Sequence, residues 1–145
     1  MICSLVPATE LADVGIQTKC AFATKTPGDL PVAQRMRAAY WLKHAYDNGV
    51  DEAEKRSARR ALERAAAHAP HGSLLRHECA YVLGQLRDAE AAPALQNILE
   101  DTREDAMLRH ECAEALGAIG EGDVVLEKLS RDMNEPFEVR QTCEI

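Results

Sequence analysis

The pentapeptide Arg-His-Glu-Cys-Ala occurs twice in this 145-residue sequence, at residues 76–80 and again at residues 109–113. Imidazole nitrogens and carboxylate oxygens bind iron and zinc, and a set of two histidines with one carboxylate suits non-haem iron with open coordination positions. The repeated pair therefore predicts a metal site. Its candidate ligands are His77, Glu78, His110 and Glu111.

Two interpretations of these pairs compete. A repeat copies every residue, so a solvated helix face duplicated by accident would look the same. The flanking repeats, however, keep the scaffold and lack the pair, with Met36-Arg37 upstream and Gln141-Thr142 downstream. Because those repeats do without it, the His-Glu pair is not needed for packing, and this favours a function.

The elements that position the pairs are predicted to be paired helices. Ala, Leu, Glu and Arg dominate the composition, which favours helix over strand. The spacing of 33 residues between the two pentapeptides is typical of an α-solenoid built from helix pairs, so the fold is predicted to be all-α. Ser73 is a candidate N-cap for the first repeated helix. The predicted organisation is one domain over 1–145, with a cap or loop at 1–30, repeats at 31–72, 73–103 and 104–134, and the first helix of a further, truncated repeat at 135–145.

Helical spacing separates the His-Glu pairs from the packed side of their helices. The predicted apolar stripes are Leu75, Cys79, Val82, Leu83 and Leu86 in one helix and Leu108, Cys112, Ala115, Leu116 and Ile119 in the next. Neighbouring helices lie about 8–10 Å apart, so two histidines from consecutive layers can reach one ion. A glutamate one residue further on points about 100° round the helix. It is either a ligand or a hydrogen-bonding neighbour of the site.

Bulk composition limits the classes of partner and location. The net charge of −7 argues against a nucleic-acid partner. No window approaches the roughly 18 apolar residues of a membrane span, so no membrane association is predicted. The first residues, MICSLVPATELADVG, make a poor export signal, and the five cysteines form no C-x-x-C pair. Free thiols in a reducing compartment, and hence a cytoplasmic location, are expected. His44, His68 and His71 are expected at the surface.

The sequence resembles the deoxyhypusine hydroxylase family of HEAT-repeat enzymes from about residue 31 onward. The segments LLRHECAYVLGQLRDAEAAPALQNILEDT, MLRHECAEALGAIG and VRQTCEI carry the resemblance, and PVAQRMRAAYWL is similar to the family's first, histidine-free repeat. The resemblance implies a HEAT-like α-solenoid and an Fe(II) enzyme, with a di-iron centre in the complete family member. Such an enzyme uses O2 to hydroxylate the deoxyhypusine residue of translation initiation factor 5A to hypusine.

Carried over by matching motif, the resemblance implies that His77, His110 and Glu111 bind one iron. It leaves Glu78 either as a further ligand or as a contact for a substrate amine. The family has two such halves, and this sequence matches the N-terminal one. The chain is therefore expected to be a fragment, to rebuild the site as a homodimer, or to be inactive, and the first account is favoured. The competing hypothesis is a non-catalytic HEAT-repeat scaffold whose His-Glu face binds a protein.

Overall fold

Paired helices make up the regular structure of the part of the chain that the computed structural model describes, residues 31–144. The seven α-helices in that range are α1 (Val32–Asp47), α2 (Glu52–Ala67), α3 (Gly72–Leu86), α4 (Ala92–Glu100), α5 (Ala106–Ile119), α6 (Asp123–Ser130) and α7 (Phe137–Thr142). Short 3-10 turns at Ala69–His71 and Ala89–Ala91 lead into α3 and α4. The predicted all-α solenoid is confirmed.

The helices form two layers. Helices α1, α3, α5 and α7 contact one another in that order, and α2 and α4 pack behind them. The connections between consecutive helices are short, which makes chain neighbours antiparallel. Both predicted apolar stripes lie at the interface of the two layers, where Leu75, Leu83, Leu108 and Leu116 have no exposed surface. Ile119 is the exception, because it lies in the last turn of α5 and is only partly buried.

Local sequence explains where the helices begin and end. Asp51 and Asp105 cap α2 and α5, each accepting a hydrogen bond from a backbone N–H in the first turn. Gly120 ends α5 with φ of +82°, a conformation that favours glycine. The predicted N-cap at Ser73 is wrong, because α3 begins at Gly72, directly after the 3-10 turn, and has no side-chain cap.

The predictions for the N-terminal segment, the repeat boundaries and His71 have different outcomes. The cap or loop at 1–30 lies outside the described residues, and the repeat boundaries stay a prediction. The surface position expected for His71 is wrong. Its ring lies in the turn between α2 and α3, is buried and packs edge-on against His68. Burial lowers the pKa of His71 to about 4.

The arginine of each repeated pentapeptide is a buried connector between helices. Arg76 donates from Nε to the carbonyl of Ala66 at the end of α2, at 2.6 Å, and pairs through both guanidinium ends with Glu104. Arg109 repeats the first contact one layer on, donating to the carbonyl of Leu99 at 2.7 Å. These bonds fix the rotation of α3 and α5 about their axes, and therefore the direction in which the adjacent His-Glu pairs point.

Helices α3 and α5 pack tightly together at Gly84. A Cβ atom placed on Gly84 would lie 2.9 Å from the Cα of Ala115, closer than two carbon atoms can pack. The corresponding glycine of the next layer, Gly117, is exposed, and a Cβ there would meet nothing within 4 Å. Gly84 therefore sets the spacing between the two helices that carry the His-Glu pairs.

These two glycines predict opposite effects of the same substitution. Gly84→Ala should reduce the free energy of unfolding by about 1–3 kcal/mol, because the new methyl group pushes α3 from α5. Gly117→Ala should increase it by roughly 0.5–1 kcal/mol, because alanine favours an exposed helix interior. Urea unfolding monitored by circular dichroism measures both. A destabilised Gly117→Ala or an unchanged Gly84→Ala would contradict this account of the helix spacing.

Candidate metal centre

The site is built on α3 and α5 from the second and third residues of each pentapeptide. His77 on α3 reaches across to Glu111 on α5, and the Nε2 and Oε2 atoms are 3.0 Å apart. A contact of that length between two acceptor-capable atoms requires a proton, or a cation, between them. Both predicted histidines remain partly exposed, with 29% of the His77 side chain and 23% of the His110 side chain open to solvent.

A second group of potential ligands shares the same carboxylate. Nitrogen and oxygen atoms of His110, Glu111 and Glu114 all lie within 4.8 Å of one another. Glu111 is therefore the residue that both histidines approach, and His77 is not part of this second group. Glu114 was not among the predicted ligands. The spacing of four residues from His110 places Glu114 on the same helix face and could have indicated it as a ligand. The equivalent position of the preceding repeat holds Tyr81, so a comparison of the repeats did not single out Glu114.

Glu111 is the buried carboxylate of the site, with 5% of its surface exposed. Burial, which is the largest cause, and the negative charges of Glu114 and Glu78 together raise its pKa from 4.5 to about 7, and His110 acts in the opposite direction. Near neutral pH this carboxyl group therefore keeps a proton for part of the time. A divalent cation bound in place of that proton would remove the electrostatic penalty of ionising Glu111.

The second pentapeptide histidine repeats the contact of the first, one layer further on. Residues 111 and 142 occupy equivalent positions in successive repeats. As His77 contacts Glu111, so His110 contacts Thr142 on α7, with Nδ1 and Oγ1 2.7 Å apart. Thr142 is buried, with 8% of its surface exposed. The sequence marked Thr142 only as a place where the His-Glu pair is missing, and it did not predict this contact.

Glu78 has a different environment from Glu111, although the pentapeptides are identical. It stays half-buried and accepts a hydrogen bond of 2.5 Å from the hydroxyl of Tyr40 on α1. The hydrogen bond to Glu78 is the main cause that raises the pKa of Tyr40 to about 12. Tyr40 also lines a shallow pocket on α1 together with Arg37, Trp41 and His44. Glu78 therefore contacts one residue of this pocket and lies near enough to Glu111 to raise its pKa.

The donor set fits a divalent cation. Two ligand atoms at right angles, each about 2.1 Å from an ion, lie about 3.0 Å apart, and this matches the separation of His77 Nε2 and Glu111 Oε2. Imidazole and carboxylate together suit Fe(II), Zn²⁺ and similar ions rather than Mg²⁺ alone. The nearby negative charges of Glu114 and Glu78 add to the attraction for a cation.

Comparison with known proteins agrees with this architecture. Residues 64–145, more than half of the chain, match a family model described as HEAT repeats. The chain belongs to the HEAT-repeat family. The family assignment covers both pentapeptides and explains why the α3–α4 and α5–α6 pairs repeat. It confirms the predicted helical-repeat architecture.

Several relatives of this HEAT-repeat chain are named deoxyhypusine hydroxylase. One from Neosartorya fischeri is 43% identical over 117 residues, which is 79% of this chain and 34% of the relative. One from Aspergillus fumigatus is 39% identical over 144 residues, 98% of this chain and 42% of the relative. A solved structure of human deoxyhypusine hydroxylase in complex with glycerol aligns with a TM-score of 0.65 and 38% identity over 80% of this chain and 37% of that one. The chain thus spans well under half the length of these relatives.

The structure also bears on the predictions about membrane-spanning segments and cysteines. None of the helices within 31–144 is long and apolar enough to cross a bilayer. Cys79, Cys112 and Cys143 are buried free thiols, and the burial of Cys79 and Cys112 agrees with their place in the predicted apolar stripes.

The raised pKa of Glu111 predicts a pH-dependent stability in metal-free protein. Its folded-state pKa of about 7 lies above the unfolded value of 4.5, so its favourable contribution is complete below about pH 4.5 and is lost as pH rises through about 7. Glu111→Gln should therefore match the parent near pH 4.5 and exceed it by on the order of 2 kcal/mol at pH 8. Urea unfolding across this range measures the difference.

The control for this prediction is Glu121→Gln. Glu121 is an exposed carboxylate just beyond the end of α5, so its removal should leave the pH dependence of the parent unchanged. An identical pH dependence in the parent and in Glu111→Gln would show that Glu111 ionises without penalty, contrary to the burial that the structure gives it.

Proposed function

We propose that this chain supplies one His-Glu metal site of a deoxyhypusine hydroxylase, an enzyme that uses iron and O2 to hydroxylate the deoxyhypusine residue of translation initiation factor 5A to hypusine. The observation that carries the proposal is Glu111, a buried carboxylate that contacts His77 at 3.0 Å and is grouped with His110. The relatives that match over most of this chain bear the name of that activity.

Three residues would hold the iron: His77, His110 and Glu111. Fe(II) bound there would supply the activation of O2, which side chains alone cannot perform. The protein supplies the position and the charge. Arg76 and Arg109 hold α3 and α5 in the rotation that presents both imidazoles. Glu114 lies within reach of the same ion and is the candidate for a further ligand or for a hydrogen bond to bound water.

Glu78 would bind the substrate rather than the metal. Its carboxylate is held by the hydroxyl of Tyr40, on the side of the site toward α1 and the pocket there. The deoxyhypusine side chain carries amines, and a carboxylate accepts a strong, charge-assisted hydrogen bond from such a group. The net charge of −7 attracts a cationic side chain over longer distances. Tyr40 would keep Glu78 oriented for the amine.

The complete activity needs a second set of ligands, because the proposed family centre contains two irons. This chain spans 34% and 42% of two of its relatives. The second set would come from further sequence of the same protein or from a second copy of this chain in a homodimer. We also propose a cytoplasmic location, which the buried free thiols of Cys79, Cys112 and Cys143 support because reducing compartments preserve them.

Metal retention tests the site directly. The parent chain, purified without added iron, should retain metal, and His77→Ala and His110→Ala should each lose most of it, because removing one of three ligands leaves the ion weakly held. His68→Ala is the control, since that exposed histidine lies outside the site. Elemental analysis measures the metal content per chain. A parent with well under half an equivalent of iron would count against the site.

The same variants distinguish the metal enzyme from the alternative of a non-catalytic scaffold. A docking surface without metal should bind translation initiation factor 5A almost as well in His77→Ala and His110→Ala as in the parent. A metal enzyme should lose the chemistry in both variants.

The reaction itself is tested with the deoxyhypusine form of translation initiation factor 5A. If a second copy of this chain completes the site, incubation with the iron-loaded chain, O2 and a reductant that converts the second oxygen atom to water should add one oxygen atom to the substrate. Intact-protein mass spectrometry measures this addition, and sedimentation of the same sample should show a dimer. His68→Ala should retain this activity and His110→Ala should lose it. Full activity in a sample that sediments only as a monomer would contradict the two-copy account.

A further inference from the structure

The hydrogen bonds of Thr142 define which nitrogen of His110 carries a proton. The Thr142 hydroxyl has a single hydrogen, and it donates that hydrogen to the carbonyl oxygen of Glu138, 2.9 Å away on the preceding turn of α7. The same Oγ1 atom is 2.7 Å from Nδ1 of His110. With its single hydrogen on the bond to Glu138, the hydroxyl can only accept at this contact, and that arrangement makes Nδ1 of His110 the donor.

We propose that Thr142 is a positioning residue that fixes His110 as the Nδ1–H tautomer and aims its Nε2 lone pair at the metal site. In a neutral imidazole one nitrogen donates and the other accepts, and the hydrogen bond at one nitrogen sets the state of the other. With the proton on Nδ1, the free lone pair is on Nε2. That atom faces Glu114, whose Oε1 is 3.7 Å away.

The surroundings of Thr142 suit this role. Its side chain is buried, so water competes little for the hydroxyl, and the helical bond to Glu138 keeps the acceptor in one orientation. The position equivalent to Thr142 in the preceding repeat is Glu111, which contacts His77. In each layer the histidine therefore contacts the residue at this position of the next helix. Glu111, the partner of His77, is itself a candidate ligand. Thr142, the partner of His110, is neutral and contacts the ring at Nδ1, the nitrogen that does not face the metal site.

The part of this inference that concerns metal affinity rests on the proposed function, and the part that concerns the tautomer does not. Residues that hydrogen-bond to a metal-binding histidine typically affect metal affinity by about 10–100-fold, because they set ring orientation and tautomer. Thr142 would therefore strengthen metal binding without touching the ion.

The test uses Thr142→Val, which removes the hydroxyl at nearly constant shape, and Thr142→Ser, which restores it. Long-range ¹H–¹⁵N NMR of metal-free protein, at a pH where His110 is neutral, reads the tautomer directly. The parent and Thr142→Ser should show the Nδ1–H form, and Thr142→Val should shift His110 toward the Nε2–H form, because Nε2–H can then donate to Glu114 or water. Circular dichroism should give the same helix content for all three proteins.

Titration with Co(II), followed by its visible absorption, provides the second measurement. Thr142→Val should weaken binding by about 10–100-fold, and Thr142→Ser should stay close to the parent. An Nε2–H tautomer in the parent, or equal tautomers and affinities in the parent and Thr142→Val, would overturn the role of Thr142. A parent that binds no Co(II) while showing the Thr142-dependent tautomer would overturn the proposed metal site and leave the tautomer assignment standing.

Discussion

The contact between α3 and α5 is the constraint on which the rest of this molecule depends. At Gly84 the two helices approach so closely that no side chain fits between them, and the backbone of Ala115 occupies the space. The same approach brings His77 to 3.0 Å from Glu111. If a methyl group at Gly84 pushed α3 away from α5, the side chains of His77 and Glu111 could no longer share a proton or an ion. Close packing at Gly84 therefore sets the distance between His77 and Glu111, which meet about two turns away on the same face of α3.

The five residues of the repeated pentapeptide have different structural roles. The arginine is buried and ties its helix to the end of the preceding one, as Arg76 does through the carbonyl of Ala66. The cysteine and alanine fill the core between the layers, as Cys79 and Ala80 do with no exposed surface. The histidine and glutamate point away from that core. Three of the five residues are thus required by the fold, and the remaining two are available for function.

This division explains what the sequence could and could not predict. Helical period and repeat spacing predicted the helices, the buried stripes and the face of the His-Glu pairs, because these depend on residues of one helix at a time. The partners of Glu78 and Glu111 come from different neighbouring helices, so identical pentapeptides gave no indication that one glutamate meets Tyr40 and the other meets His77. Thr142 escaped notice because its role depends on one hydroxyl contact to His110 rather than on a pattern.

The electrostatics of the site oppose the stability of the metal-free chain. Glu111 is buried among other acids, and the raised pKa of about 7 shows that its ionised form is disfavoured there. A residue chosen only for packing at this position would be apolar, as Cys112 is at the next one. A divalent cation bound beside Glu111 would remove this conflict, because the negative charge that costs stability would then hold the ion. The burial of Glu111 among other acids therefore supports the proposed metal site.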